Sequence, residues 1–443
     1  MKDSKIKKIK AREILDSRGN PTIEVELETD LGSFLASVPS GASKGRYEAV
    51  ELRDADGRGV KKAIENVEKI IAPVLLKESF IEQKKIDEIL INLDGTKNKS
   101  RLGANATLAV SMAICRAGAA ENNLSLFKYI SQLYGNKSGT INLPRPSFNL
   151  IEGGRHAENN LAFQEFMIVP QKLEFEENLK IGKTVYQELK KNLESRFGKI
   201  NVELSFEGAF SAPIKEIHEA MDFIMAAVEN VGHKNDIKIA LDIAASEFFE
   251  NGNYRVVDEL RSSSRTSSLE RVRKNFNSFG FANARVGKEI ISKEKLLEFY
   301  ENLVKKFPII FGIEDPFFQE DFEGFAEINK EMGEGLLIFG DDLTVSNVER
   351  IKMAQEKKAC SGLILKPNQI GTVTETLEAA KLVKDFGWKI MVSNRAGETK
   401  DDFIADLAAG IGAEFIKSGA PFPKERMAKY NRLVKIEEEL HKN

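Results

Sequence analysis

The sequence predicts an α/β protein: a (β/α)8 barrel with an atypical ββαα start, preceded by an N-terminal α+β domain. Three observations carry this expectation. Six apolar runs in the second half of the 443-residue chain each stop on a residue that can do chemistry. The last five of them recur at roughly one strand-plus-helix unit, the ~30 residues expected when ~250 residues build eight such units. The first part of the chain lacks that repeat and ends in Ile141–Pro146, a connector with two prolines. The predicted division is residues 1–140 and 141–443.

In the N-terminal part, Thr22–Thr29 alternates apolar Ile23, Val25 and Leu27 with polar residues, the pattern of a half-buried strand. Gly32–Val38 is its predicted hairpin partner across Asp30-Leu31-Gly32. Val60–Leu76, Phe80–Asn92 and Ala104–Asn122 have helical periodicity. In the second part, Ser147–Leu150 and Phe166–Pro170 lie close in sequence with no helix between them, which predicts antiparallel neighbours at the barrel start. Glu323–Glu331, Val345–Lys357, Thr372–Phe386, Lys400–Gly410 and Lys424–Leu440 are amphipathic and alternate with the later strands. The segment Asn251–Arg285, rich in Ser and Arg, reads as a solvated insertion, with a basic contact patch as the alternative.

Bulk composition narrows the function. The formal charge of −3 gives no field to attract nucleic acid or anionic lipid. Cys115 and Cys360 are the only cysteines, so a reducing compartment is expected and a disulfide framework is not. The basic N-terminus runs into charged residues rather than an apolar core, and no run reaches the ~18 apolar residues of a membrane span. A cytoplasmic protein is expected.

The six runs end on Asp242, Glu314, Asp341, Lys366, the pair Asn394-Arg395, and Lys417. Strands that are apolar throughout and then end in a charge describe a parallel barrel whose strand ends converge on an active site. Three hard carboxylates without thiolate or clustered histidine suit Mg²⁺. A lysine such as Lys366, at the mouth beside a metal and another cation, has its ammonium form disfavoured and can serve as a base. Lys417 reads either as a partner of the three acids or as a grip on a substrate carboxylate. Arg395 stands before a glycine-containing turn into a helix, a natural anion grip, with a structural ion pair as the alternative. The small-residue loop Ser40–Gly45 lacks P-loop spacing, and it reads as a surface turn or as a lid carrying Ser43 to a metal or phosphate. Glu165 and Glu207 flank the early barrel. If they converge, mutual repulsion makes one of them a general acid. His156, after Gly153-Gly154-Arg155, reads by itself as structural.

Several motifs resemble the enolase family. Ala11–Thr22, Val38–Ser43 and Leu102–Ala106 resemble its N-terminal domain. Leu241-Asp242, Ile313–Pro316, Gly340–Thr344, Leu365–Gly371, Gly397–Thr399, Ile416–Pro421 and Ile436–Leu440 resemble its barrel, and the matches run in order along essentially the whole chain. The resemblance implies an enolase-type barrel and a glycolytic lyase that interconverts 2-phosphoglycerate with phosphoenolpyruvate and water. It implies Mg²⁺ on Asp242, Glu314 and Asp341, with a second ion approached by Ser43. Lys366 would take the C2 proton, and Lys417 would hold the carboxylate. Glu207, supported by Glu165 and Gln164, would assist departure of the 3-hydroxyl. Arg395 would hold the phosphate, with Asn394 beside it, and His156 would lie on a closing loop. The family is usually at least dimeric, and Arg12, Glu24 and Glu438 match interface positions.

The chain also departs from the pattern. Asn394 stands where these enzymes usually have histidine, and Ala396 where they have a phosphate-contacting serine. Phe206-Glu-Gly-Ala209 replaces Asp-Glu-Gly-Gly, and His156-Ala-Glu-Asn159 replaces His-Ala-Gly-Gly. Three readings follow: an active enolase, an enolase-like lyase on a related phosphorylated or phosphonylated acid, and a non-catalytic binding protein of the same fold.

Overall fold

A computed structural model of the protein describes residues 5–41, 45–78, 81–136, 139–157, 159, 161–257 and 288–442. Ser43 and the Ser/Arg-rich segment 261–285 lie outside the described residues.

Strands Ile6–Leu15, Pro21–Thr29 and Gly32–Ser37 form an antiparallel meander in that order. Ile23, Val25 and Leu27 are fully buried, on the alternate positions the sequence predicts. Their cover is the helix Ala104–Glu121, apolar on nearly every side. The first strand is one the sequence reading did not anticipate, because its outward face is charged. That face is satisfied across the sheet, with Lys8 on Glu28 and Arg12 on Glu24. The helical stretch Val60–Leu76 forms as Lys61–Asn66 and Ala72–Leu75 with one π-helical turn, Val67–Ile71, between them.

The remainder is a closed eight-stranded barrel. Its strands in chain order are Arg145–Glu152, Glu165–Pro170, Ile237–Asp242, Ile310–Glu314, Leu337–Gly340, Gly362–Leu365, Lys389–Ser393 and Phe415–Lys417. The last pairs in parallel with the first and closes the ring. The second strand is antiparallel to both neighbours. Two helices, Phe175–Phe197 and Ile217–Asn230, follow it before the third strand, so the start is ββαα as expected.

Strand periodicity explains how the chemistry reaches the mouth. Side chains alternate between faces at period two. Met167, Val169, Ala240, Phe311, Phe339, Ile364, Met391 and Phe415 form the apolar plug inside the barrel. Counting two residues toward the mouth from Met167, Ala240, Phe339, Ile364 and Phe415 reaches Glu165, Asp242, Asp341, Lys366 and Lys417. Glu314 is out of phase with Phe311. The register shifts between Ile310 and Gly312 and restores its inward aim. Gly312 and Gly362 flank Phe339: a Cβ at either would meet that ring at 3.0 or 2.4 Å.

The N-terminal domain sits on the mouth end of the barrel. Ser40 and Gly397 exchange backbone hydrogen bonds of 2.8 and 2.9 Å, and the Ala49 N–H donates to the Gln369 carbonyl at 2.8 Å. Gly397 makes the approach possible, since a Cβ there would lie 2.1 Å from Asp16 Oδ2. Among the described residues no helix is long and apolar enough to cross a membrane.

Candidate active site

Lys417, the last residue of the closing strand, is buried at the centre of the mouth. Its Nζ donates to Glu314 Oε2 at 2.5 Å, Glu165 Oε2 at 3.2 Å and Asp242 Oδ2 at 3.3 Å. Burial works against its charge, but Glu165, Glu314 and Asp242 outweigh burial and raise its pKa well above the ordinary lysine value. The same burial raises Asp242, and it raises Glu314 strongly, where Asp242 adds a like charge. Asp242 is held further by the Ala244 N–H at 3.0 Å and by Gln164 Nε2 at 3.3 Å.

On the neighbouring strands Lys366 Nζ pairs with Asp341 Oδ2, and Gln369 Nε2 donates to Asp341 Oδ1 at 2.9 Å. Gln369 is fixed in turn by the Ser346 hydroxyl at 2.7 Å. Burial would raise Asp341, but Lys366 and Lys417 hold it below the usual carboxylate range. Lys366 differs from the sequence expectation. Burial lowers its pKa and Arg395 and Lys417 oppose its charge, yet the Asp341 carboxylate raises it above the ordinary value. Sequence reasoning weighed a lysine simply paired with the rim acids as the alternative and favoured the base, and the contact with Asp341 is that pairing.

Asp315 braces the same corner. Its carboxylate accepts from the backbone N–H groups of Asp341 and Asp342 at 2.9 and 2.8 Å, and its own φ is +43°. Such strain in a non-glycine residue persists only where the surroundings over-determine it.

The opposite wall is acidic. Glu165 begins its strand instead of ending it, and it reaches the mouth because that strand runs backward. Glu207 is buried in the turn Ser205–Gly208, which is closed by a 3.1 Å bond from the Gly208 N–H to the Ser205 carbonyl. His156 lies in the short 3₁₀ turn Gly154–His156 between the first two strands. A Cβ on Gly153 would lie 2.4 Å from Leu161 Cβ, so glycine is required where this loop folds back on itself. Glu152, His156, Glu165 and Glu207 form a tight buried cluster. The family resemblance put His156, Glu165 and Glu207 in one site, the residues alone left their convergence open, and neither reading included Glu152. The sequence reading ended the first strand at Leu150, whereas the strand continues to Glu152 and shows the same signal as its neighbours, an apolar run stopping on a charge.

Arg395 lines the cavity and is held by Glu48, with Nη1 donating at 2.8 Å and Nη2 at 3.0 Å, and by Asn368 Oδ1 at 3.0 Å. Glu48 is a second residue the sequence reading missed. It is contributed by the N-terminal domain, just beyond the loop Ser40–Gly45, where no local pattern marks it. Asn394 and Ala396 line the same cavity. Asn394 Nδ2 donates to the Arg395 carbonyl at 3.3 Å, and Arg426 Nη2 caps the Ala396 carbonyl at 2.7 Å.

Asp242, Glu314 and Asp341 suit a hard divalent cation. They are buried and repel one another, and Glu314 Oε1 has no hydrogen-bond partner among the described residues. They are not the tightest carboxylate groups, because Lys417 stands between Asp242 and Glu314 while Lys366 holds Asp341. The tightest acidic groups are the cluster around His156 and the trio Asp315, Asp341 and Asp342. Asp315 is occupied by backbone amides, and Asp342 is raised to about 7 by burial and the adjacent Asp341.

The arrangement is a buried cavity in which lysines and acids alternate around one small volume. It can remove a proton with one side group, stabilise the resulting negative charge with fixed cations, and deliver a proton from the acidic wall. Family comparisons agree with this picture: residues 6–130 match the model of the enolase N-terminal domain, and residues 140–443 match that of the enolase C-terminal TIM barrel domain.

Proposed function

The chain belongs to the enolase family, and we propose that it is a Mg²⁺-dependent lyase interconverting 2-phosphoglycerate with phosphoenolpyruvate and water. The observation that carries this reading is that Lys366, Lys417, Arg395, Glu165 and Glu207 all line a single cavity.

Lys366 Nζ takes the C2 proton as a free amine; its present partner Asp341 is one of the residues that would hold the ion, which would release Lys366 from that carboxylate. Lys417 holds the substrate carboxylate, and Arg395, oriented by Glu48, meets the phosphate. The C2–H electrons pass into the substrate carboxylate as an enolate, then form the C2–C3 double bond as the C3–O bond breaks. Glu207, supported by Glu165 and Gln164, gives its proton to the departing hydroxyl, which leaves as water. Asp242, Glu314 and Asp341 would hold Mg²⁺, and bound metal would supply positive charge against the negative charge developing on the substrate. A general base alone provides only ~10²–10⁴-fold acceleration, so fixed positive charge supplies the larger share. The assembly is read as a homodimer in which Arg12, Glu24 and Glu438 meet a second copy.

The test is phosphoenolpyruvate formation, followed by absorbance, from 2-phosphoglycerate with Mg²⁺. Turnover should be present in the wild type and lost in Lys366→Ala. Wild-type protein without turnover would refute the reading. Asn394 and Ala396 favour a second reading, a lyase acting on a related phosphorylated or phosphonylated acid. Metal-dependent exchange of the C2 proton for deuterium on such an acid, without turnover of 2-phosphoglycerate, would select it.

A further inference from the structure

Glu152 is fully buried at the mouth end of the first barrel strand and pairs in register with Glu165 across the hairpin. Its Oε1 accepts from Asn149 Nδ2 at 2.6 Å. Its Oε2 has no hydrogen-bond partner among the described residues, and neither does His156 Nδ1. That nitrogen lies 3.6 Å from Glu152 Oε1 and 3.7 Å from Glu165 Oε1. One imidazole therefore faces a cluster of three buried carboxylates, Glu152, Glu165 and Glu207.

The charges around the ring define its state. Glu152 faces it from the first strand, Glu165 from the second, and Glu207 from the turn before Ala209. Of the nearby cations, Lys417 is engaged with Glu165, Asp242 and Glu314, and Arg155 turns away to Glu247 at 3.1 Å. Glu165 has Lys417, but a neutral imidazole would leave Glu152 without a counter-charge among the described residues, which is costly for a buried carboxylate. Across the cavity, position 394 carries a neutral amide and position 396 a methyl group.

We propose that Glu152 is a positioning residue that holds His156 as a cation, so that the hairpin loop supplies positive charge to the acidic wall of the mouth. The proposal rests on the functional reading above only for the role of that charge, not for its existence. As an imidazolium the ring donates from both nitrogens. One is directed at the glutamates, and the other is available to an anionic substrate group or to the departing hydroxyl. Burial alone would lower the His156 pKa, but Glu152, then Glu207 and Glu165, push it up to about 9. Burial raises Glu152 to about 7 against the pull of His156.

The deciding experiment is an NMR titration of the histidine rings in metal-free protein. The chain has four histidines, and the His156 signal is assigned by its loss in His156→Gln. The expected wild-type midpoint is near 9. In Glu152→Gln it falls by at least one unit toward the ordinary value of about 6.5, while Glu152→Asp, which keeps the carboxylate, stays near the wild type. A wild-type midpoint near the ordinary value, or equal midpoints in wild type and Glu152→Gln, overturns the proposal. The kinetic arm uses 2-phosphoglycerate and Mg²⁺. The alkaline limb of kcat/KM moves down in Glu152→Gln by the same interval, and KM at pH ~8 rises about tenfold or more, the loss expected for one charged hydrogen bond. If the wild type does not turn over 2-phosphoglycerate, the functional reading fails while the titration still decides the state of His156.

Discussion

Removing the central lysine tests whether the acids of the mouth form a cation site. In Lys417→Met the side chain keeps its length and loses its charge. Glu314, Asp242 and Glu165 then lose a partner at 2.5, 3.3 and 3.2 Å, all of it buried. Breaking a buried ion pair by deleting one partner costs ~3–5 kcal/mol. The lower end applies here, because burial and neighbouring acids already favour the neutral form of Glu314, which can take up a proton in place of the lost contact. A loss of about 3 kcal/mol is therefore expected in EDTA, measured from urea unfolding followed by near-UV circular dichroism. Mg²⁺ should reverse much of it. A ligand at a hundred times its Kd stabilises by ~2.7 kcal/mol, and without the competing ammonium group the variant should bind Mg²⁺ more tightly than the wild type. The reasoning is refuted if the midpoint in EDTA is unchanged. It is refuted equally if Mg²⁺ leaves the variant as unstable as EDTA does, because three crowded carboxylates freed of their lysine would then have no affinity for the ion.

Three further outcomes are expected. Gly397→Ala should open the seam between the domains, since its Cβ would lie 2.1 Å from Asp16 Oδ2 and 2.6 Å from Ser40 Oγ; a loss of ~1–3 kcal/mol should appear in thermal unfolding. Asp87→Ala should cost at least ~1–3 kcal/mol in the same assay, because the carboxylate accepts from Gln83, Ser111 and both donors of Thr374 and so ties two N-terminal helices to the barrel helix Val373–Asp385. The double variant Asn394→His, Ala396→Ser should raise kcat/KM on 2-phosphoglycerate by roughly ten- to a hundredfold, the worth of one hydrogen bond to a charged group; a fall would contradict the view that these positions weaken the phosphate grip.

Most of the rim was legible in the sequence because a parallel barrel converts chain order into geometry. Asp242, Asp341, Lys366 and Lys417 each end an apolar run, so strand pattern alone places them together. What escaped did so for physical reasons. Glu152 was hidden by a strand drawn two residues short, although the run Phe148–Ile151 remains apolar apart from Asn149. Glu48 comes from another domain, and only tertiary contact brings it to Arg395. The strand Ile6–Leu15 was overlooked because Lys7, Lys8 and Lys10 look like a solvated tail until Glu28 and Asp30 are seen opposite two of them. The raised pKa of Lys366 rests chiefly on the Asp341 carboxylate beside it, with Glu314 adding to it, and spacing along the chain says nothing of such contacts. The motifs of the family, by contrast, pointed correctly to membership and to the ββαα order.

The two-residue rhythm inside the barrel also governs which lengths evolution can try. Inserting or deleting one residue between Phe339 and Asp341, or between Ile364 and Lys366, would turn an acid or a base toward the helices and bring an oily side chain into the mouth. Changes in pairs would leave polarity intact and only move the chemistry deeper or shallower. The register slips beside Gly312 and between Asn149 and Ile151 are places where an odd step has already been absorbed. Gly312, the berth of Phe339, therefore also stands at the slip whose phase lets Glu314 face its companions.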